Sequence, residues 1–168
     1  MSTSAGVLNH AGMKADLLHG YFDLIVEQAP VPVTVVDADF RITNVNQRWL
    51  DMLGYERFEV LGHPSTEFLS QQSREYSFRD VIPLFRRTGS ARSVGLNFET
   101  RDGRFVPVLL DAQVCSTDEG FRCAFAVLRA PDDLVQYAEA SATFMALRSI
   151  ATARCSILSS KAGMPIGR

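Results

Sequence analysis

The chain has 168 residues, of which 46% are hydrophobic and 21% are charged, with a formal net charge of -2. This composition fits one globular domain with some flanking sequence and excludes a disordered chain. The sequence has no sustained cluster of basic residues of the kind that binds nucleic acid. No signal-peptide pattern opens the chain, and no apolar run approaches the roughly 20 residues that cross a bilayer. We therefore expect a soluble, cytoplasmic protein without a membrane or nucleic-acid partner.

Residues 1–12 are small and polar and are predicted to be disordered. Residues 13–28 are predicted to form an amphipathic helix, because their apolar side chains recur at three- and four-residue spacing. Pro30 and Pro32 end this helix. Gly20 lowers its intrinsic stability, so we expect the helix to depend on packing against a partner.

A β-hairpin and a capped short helix are predicted next. The β-branched run Val33–Val36 and the segment Arg41–Val45 flank an acidic turn, which is typical of two short strands. A helix over Gln47–Leu53 follows and ends at Gly54, a residue suited to the left-handed position after a helix. Asn46 precedes this helix and is expected to cap it through its side-chain oxygen, which is a structural role.

Three further helical segments separate this hairpin from the remaining strands. Two short ones are predicted over Glu56–Leu61 and Ser65–Leu69. The third is longer, over Ser73–Arg87. We expect Pro83 to kink or interrupt it, because proline lacks an N–H and clashes with the preceding turn.

Three strands follow, predicted over Ser93–Thr100, Phe105–Cys115 and Phe121–Arg129. The first two are joined by Asp102-Gly103, which is a hairpin turn. The third is apolar nearly throughout, which indicates a central position in the sheet.

A C-terminal helix is predicted over residues 131–154, followed by a frayed tail over residues 155–168. The apolar stripe of this helix is weak and alanine-rich, so we expect the helix to pack on something outside itself. Two runs of strands around a block of helices predict an α+β domain with an antiparallel sheet.

Five short segments carry a family resemblance through their order and spacing. They are RITNVN (41–46), ERFEVLG (56–62), TEFL (66–69), FRRTG (85–89) and TRDGR (100–104). Together they resemble the PAS family of sensory and signalling domains from about Phe22 to Ala130, although each motif alone is common. The resemblance implies a PAS domain over residues 29–130. Its five-stranded antiparallel sheet would carry a helical block on one face and be flanked by N- and C-terminal helices.

The resemblance also implies a cavity between the helical block and the sheet, where PAS domains often hold haem, flavin or a small metabolite. Ordinary core packing explains the same side chains without a ligand. The candidate wall residues of the cavity are Phe68, Phe78, Ile82, Phe85, Phe98, Leu110 and Phe125.

Haem requires an axial ligand, which is usually histidine. In the haem-binding PAS domains that sense oxygen, this ligand lies on the long helix. His10, His19 and His63 all lie outside the corresponding helix Ser73–Arg87. The residues therefore do not favour haem.

The light-sensing flavin subclass uses a reactive cysteine in an NCRFLQ stretch. The corresponding residues 63–70, HPSTEFLS, contain no cysteine and no glutamine. The glutamine expected in the last strand is also missing from residues 125–128. We therefore expect no tightly held cofactor, with a flavin or haem sensor of redox state, gas or light as the alternative.

Catalytic and metal-binding patterns are absent from the sequence. It contains no P-loop, GxSxG, HExxH or GxGxxG pattern. Cys115, Cys123 and Cys155 lack the spacing of metal ligands or of a disulfide framework. We expect a non-catalytic module, which would fit a fragment of a bacterial sensor kinase of the two-component type or of a cyclase.

In the PAS family the flanking helices commonly pair two domains and pass the signal to an output module. The resemblance therefore implies a homodimer that undergoes a ligand- or partner-dependent conformational change. This change would regulate an output domain or a partner protein. The candidate dimer contacts on the N-terminal helix are Leu17, Leu18, Tyr21 and Ile25.

Overall fold

The computed structural model describes residues 7–116, 122–131 and 134–159. In these ranges the chain forms six α-helices and five strands, with a 3₁₀ turn over Ser65–Phe68 and a π-helical turn over Ser77–Val81. In chain order the elements are α1 (Val7–Gln28), β1 (Val33–Val36), β2 (Ile42–Val45), α2 (Gln47–Leu53), α3 (Arg57–Val60), α4 (Gln71–Tyr76), α5 (Ile82–Thr88), β3 (Ser90–Glu99), β4 (Phe105–Ser116), β5 (Arg122–Arg129) and α6 (Leu134–Ser159).

The five strands form one antiparallel sheet in the order β2-β1-β5-β4-β3. β5 lies in the middle of the sheet, as its continuous apolar sequence predicts, because a central strand is buried on both faces. The predicted α+β class with a five-stranded antiparallel sheet is confirmed.

The sheet separates two hydrophobic cores. We call them the inner core, between the sheet and the helical block α2–α5, and the outer core, between the sheet and the two flanking helices. The inner core includes Ile42, Trp49, Leu53, Phe68, Phe98 and Leu128. The outer core includes Phe22, Val26, Val33, Phe125, Phe144 and Leu147.

Alternation along β5 supplies side chains to both cores. Ala124 and Leu128 belong to the inner core, whereas the ring of Phe125 belongs to the outer core. The centroid of this ring lies 6.1 Å from the Phe22 ring of α1 and 5.2 Å from the Phe144 ring of α6. Each flanking helix therefore packs on the sheet of its own domain, which is the external support that both helices were expected to need.

The two flanking helices are longer than predicted. α1 begins at Val7, so the prediction of disorder is wrong for residues 7–12, and residues 1–6 lie outside the described part of the chain. α6 continues to Ser159, so the predicted tail is wrong for residues 155–159, and residues 160–168 lie outside that part. No proline interrupts either extension, and Leu8, Ala11 and Leu158 in them favour a helix. No helix of the described residues is long and apolar enough to cross a membrane.

Pro83 interrupts the long helix, as predicted. The π-helical turn separates α4 from α5, and within it the Ile82 N–H bonds to the Ser77 carbonyl. Pro83 follows within the first turn of α5, where its missing N–H is tolerated. Because a π-helical turn carries one extra residue per turn, it rotates the side chains before it relative to those after it.

Asn46 joins three parts of the fold through one buried side chain. Its Oδ1 accepts hydrogen bonds from the main-chain N–H of Trp49, at 3.1 Å, which caps α2, and from that of Val33 in β1, at 2.9 Å. Its Nδ2 donates to the carbonyls of Val31, at 2.8 Å, and Ala29, at 3.4 Å. The side chain therefore also holds the segment between α1 and β1 against the hairpin.

We expect Asn46→Ala to lower the free energy of unfolding by about 3 kcal/mol, because it removes a cap and leaves several buried main-chain groups unpaired. Urea unfolding measures this change. The matched control is Gln47→Ala, because the exposed Gln47 amide bonds only to Asp51 among the described residues. The control should stay within about 0.5 kcal/mol of the parent protein. Equal effects of the two changes would show that Asn46 does not have this joining role.

Candidate ligand cavity

A cavity of about 100 Å³ lies between the sheet and the helical block. Its floor is a row of small residues in register across four neighbouring strands. Thr34 of β1 pairs with Ala126 of β5, Ala126 with Ala112 of β4, and Ala112 with Ala91 of β3. All four residues line the cavity. Because none of these side chains reaches far from the sheet, the row leaves space that larger residues would fill.

A bulge in β3 brings Ala91 into this row. β3 begins at Ser90 instead of the predicted Ser93, and its register shifts between Ala91 and Val94. Strict alternation would place these two residues on opposite faces, but both contact the inner core. At the bulge Ser93 adopts a positive φ of 49°, and its N–H bonds to Asp111 Oδ1 at 2.9 Å.

Larger side chains of the helical block close the cavity opposite the floor. Trp49 from α2 and Phe85 from α5 are both buried there. Leu69, Val81 and Ile82 also lie on this side, together with the hydroxyl-bearing residues Ser65, Thr66 and Ser77. The lining therefore combines a flat sheet floor with walls that are mainly aromatic and aliphatic.

Phe40, in the turn between β1 and β2, lies where the cavity meets the surface. It lines the cavity and also two outer grooves. Its ring lies 6.1 Å from the Phe85 ring, and the Arg86 guanidinium stands 5.4 Å from its centroid. Its φ of 61° is unusual for an aromatic residue, so the backbone holds the ring in this position at some cost.

Four of the seven predicted wall residues line the cavity and have their side chains on the inner-core side of the sheet. These are Ile82, Phe85, Phe98 and Leu110. Phe68 does not line the cavity and packs behind it, with its ring 5.5 Å from that of Trp49.

The placement of Phe78 in the wall is wrong. Its side chain is 59% exposed and lines an outer groove. The prediction placed Phe78 and Phe85 of the helix Ser73–Arg87 in the same cavity wall. The π-helical turn rotates the side chains before it, so the neighbouring Ser77 is buried and lines the cavity instead.

The placement of Phe125 needs a similar correction. Phe125 borders the cavity, but its ring lies in the outer core against Phe22 and Phe144. The sequence of β5 is apolar on both faces, so its composition alone could not assign Phe125 to one of them.

Sequence reasoning missed the polar residues of the lining, which are Thr34, Trp49, Ser65, Thr66 and Ser77. Thr34 is 6% exposed and Trp49 is 1% exposed. Among the described residues, neither Thr34 Oγ1 nor Trp49 Nε1 has a hydrogen-bond partner. The signal for Thr34 was available, since it is the one polar residue in the strand Val33–Val36. A buried polar atom without a partner costs about 1–3 kcal/mol.

No residue lining the cavity carries an ionisable side chain. The nearby Tyr55 has its pKa raised, first by burial and then by the Glu99 and Glu59 carboxylates. Its hydroxyl, which donates to the Glu99 carbonyl at 3.3 Å, therefore stays protonated at neutral pH. Among the described residues, no cluster of three or more His, Cys, Asp or Glu could hold a metal ion.

The histidines with described side chains lie away from the cavity. His63 is exposed, and its Nδ1 lies 3.0 Å from Glu67 Oε2. His19 is exposed on α1 and pairs with Asp23, while the side chain of His10 lies outside the described residues.

The fold and the cavity define an α+β domain with an internal space between its antiparallel sheet and its helical block. A sequence profile of the PAS fold matches residues 20–130. Because this match covers more than half of the chain, the chain belongs to the PAS fold family. The predicted family is confirmed, and residues 20–130 form a PAS sensory domain.

Several solved structures are similar to this chain. The PAS domain of an HTR-like protein from Haloarcula marismortui is 26% identical, with a TM-score of 0.55 over 70% of this chain and 95% of that chain. The Rhodobacter sphaeroides LOV protein is 14% identical, with a TM-score of 0.60 over 89% and 99%. A PAS domain from a two-component sensor histidine kinase is 14% identical, with a TM-score of 0.57 over 68% and 97%. The two 14% matches show the fold alone. No curated protein matches the chain.

We expect Thr34→Val to raise the free energy of unfolding of the ligand-free protein by about 1 kcal/mol, because it replaces a buried, unpaired hydroxyl with a methyl group of similar size. Thermal or urea unfolding measures this change. The matched control is Ser73→Ala, because the buried Ser73 hydroxyl accepts the Asn97 N–H at 2.8 Å. The control should lower stability by about 1 kcal/mol. A loss of stability in Thr34→Val would show that its hydroxyl is already paired.

Proposed function

We propose that the chain is a signal-transduction module in which the occupancy of the cavity changes the packing of the flanking helices. These helices would mediate self-association and regulate an output domain or a partner protein. The observation that carries the proposal is the position of β5, which borders the cavity with one face and supports both flanking helices with the other.

The two faces of β5 are linked within three consecutive residues. Ala124 and Ala126 line the cavity, and Phe125 between them contacts Phe22 of α1 and Phe144 of α6. A ligand that displaces the strand by a fraction of an ångström must also displace this ring. Close-packed interiors absorb such shifts poorly, so the helices would respond by changing their arrangement.

An apolar stripe on α1 supports self-association. Leu17, Tyr21 and Leu24 are each more than half exposed, and their spacing of four and three residues places them on one helix face. Phe22 and Val26 on the opposite face are buried in the outer core. The helix is thus apolar on a second face that the described part of the chain leaves exposed.

This stripe revises the residues that we propose for the dimer contact. Leu17 and Tyr21 remain, and Leu24 joins them. Ile25 packs partly against the outer core of its own domain, and the side chain of Leu18 lies outside the described residues. A second copy of the chain fits this stripe, because two identical helix faces can pair across a two-fold axis.

We expect the double variant Tyr21→Glu/Leu24→Glu to weaken self-association by at least about tenfold, because each carboxylate would lose water in the interface. Sedimentation velocity over a concentration series measures this constant. The matched control is Phe78→Glu, because Phe78 is about as exposed as Tyr21 but lies on the opposite side of the sheet. Circular dichroism checks that both variants fold. Unchanged association in the double variant would exclude the α1 stripe as the interface.

The proposed module works without a tightly held coloured cofactor. Pockets that enclose cofactors commonly measure about 300–1,000 Å³, and this cavity measures about 100 Å³. We expect the freshly purified protein to show only the protein band in its absorption spectrum. A flavin or haem band in the visible range would support the alternative, a cofactor-binding sensor. The control is the same spectrum after denaturation and removal of small molecules.

A further inference from the structure

A groove much larger than the cavity lies on the outer surface of the helical block. It measures about 830 Å³ and is lined by the turn between β1 and β2, by the 3₁₀ turn with the proline before it, by the π-helical turn and by α5. We call it the arginine groove, after Arg86 and Arg87 in its lining. Both arginines, together with Phe78 and Pro83, are exposed there, so the groove is accessible from solution.

The apolar part of the arginine groove is built around Phe78. This side chain is 59% exposed, because the π-helical turn brings Ser77 to the cavity instead. Pro64, Ile82 and Pro83 line the same groove, so the exposed ring does not stand alone. Single exposed apolar side chains are ordinary, whereas a group of them along a groove is typical of an interaction site.

The charged part of the arginine groove carries an excess of positive charge. Arg86 and Arg87 lie in the last turn of α5, where they also favour the end of the helix. Among the described residues, neither forms an ion pair with a carboxylate. The two arginines outnumber Asp39, whose carboxylate is the only one in the described lining. The neighbouring Arg79 and Asp80 neutralise each other at 2.8 Å.

These two properties together determine the kind of partner that fits. Arginine and aromatic residues are enriched in protein–protein interfaces, and a guanidinium group pairs with a carboxylate through two parallel hydrogen bonds. An open groove suits an extended chain, whose side chains can reach an apolar wall and a charged end at the same time. A basic segment would be repelled by the arginines, and a neutral one would leave them unpaired. Charge complementarity therefore favours an acidic segment with an apolar side chain.

We propose that the arginine groove binds a short acidic segment of a partner protein. Carboxylates of the segment pair with Arg86 and Arg87, and an apolar side chain of the segment packs against Phe78 and Pro83. Phe40 lines both the groove and the cavity, so the bound segment lies close to the cavity wall. The helical block and α1 pack on opposite faces of the sheet. The inference therefore goes beyond the proposed self-association and does not depend on it.

Titration with peptides of defined charge, followed by ¹H–¹⁵N NMR, tests this inference. The probe is the end-capped peptide Glu-Glu-Phe-Glu-Glu. Lys-Lys-Phe-Lys-Lys reverses its charge, and Glu-Glu-Ala-Glu-Glu removes its aromatic ring. We expect the probe to shift the backbone signals of Phe78, Arg86 and Arg87 and to bind at least about tenfold more tightly than the lysine peptide. The alanine peptide should bind severalfold more weakly than the probe, and added salt should weaken the binding of both acidic peptides.

Charge variants of the groove should have effects of opposite sign. Arg87→Glu replaces an attractive charge with a repulsive one and should weaken probe binding by about tenfold. Asp39→Asn removes the repelling carboxylate and should tighten probe binding severalfold. The matched control is Arg48→Glu, because Arg48 is an exposed arginine on α2 outside the groove. It changes the net charge equally and should leave binding within about twofold of the parent protein. The backbone spectrum of each variant shows whether it folds.

Several outcomes would overturn the inference. They are tighter binding of the lysine peptide, shifts confined to residues outside the groove, equal effects of Arg87→Glu and Arg48→Glu, or no shift with any peptide at millimolar concentration. Vesicles of phosphatidylserine and phosphatidylcholine test the competing anionic surface. Co-sedimentation with these vesicles that Arg87→Glu abolishes, without binding of the acidic probe, would assign the groove to a membrane surface instead. None of these outcomes alters the measurements that test the cavity or the α1 stripe.

Discussion

The pairing register of β5 is the constraint on which both sides of the molecule depend. It places Ala126 between Thr34 and Ala112, and this row makes the floor of the cavity. The same register places Phe125 between the two flanking helices. A slip of one residue would put the Phe125 ring into the cavity and small side chains under α1 and α6. One strand therefore determines both the shape of the cavity and the surface on which the two flanking helices pack.

An empty apolar cavity is costly to a small domain. At about 24 cal/mol per Å³ of unfilled volume, a cavity of about 100 Å³ lowers stability by roughly 2 kcal/mol. One larger residue in place of Ala112 or Ala126 would recover much of this energy by ordinary core packing. Among the described residues the polar atoms of Thr34 and Trp49 also lack partners, which adds to the cost. Close packing alone would not favour this combination, whereas a ligand that fills the cavity would offset the part of the cost that comes from its volume.

Local signals in the sequence predicted most of the fold. Asn46, Gly54 and Pro83 act through their immediate neighbours, so the capped helix, its end and the interrupted helix could all be predicted. The errors at the candidate site arose where a contact depends on the pairing register of the strands or on the direction in which a side chain points around its helix. Phe78 was misplaced because Pro83 predicts an interruption of the helix but not the rotation of side chains that the π-helical turn adds. The alanine row escaped notice because its members lie on different strands and only their pairing brings them together.

Helix α6 is coupled to the cavity floor at two separate strands. The Phe144 ring contacts Phe125 of β5, and the Arg92 guanidinium of β3 lies 3.8 Å from its centroid. Arg92 follows Ala91 in the bulge, so each of these contacts lies next to an alanine of the cavity floor. In the proposed mechanism, a ligand that lies over the floor would move both strands against the same ring. In that mechanism, two contacts on one ring would turn a shift of the sheet into a rotation of the helix as well as a displacement, which a single contact could not determine.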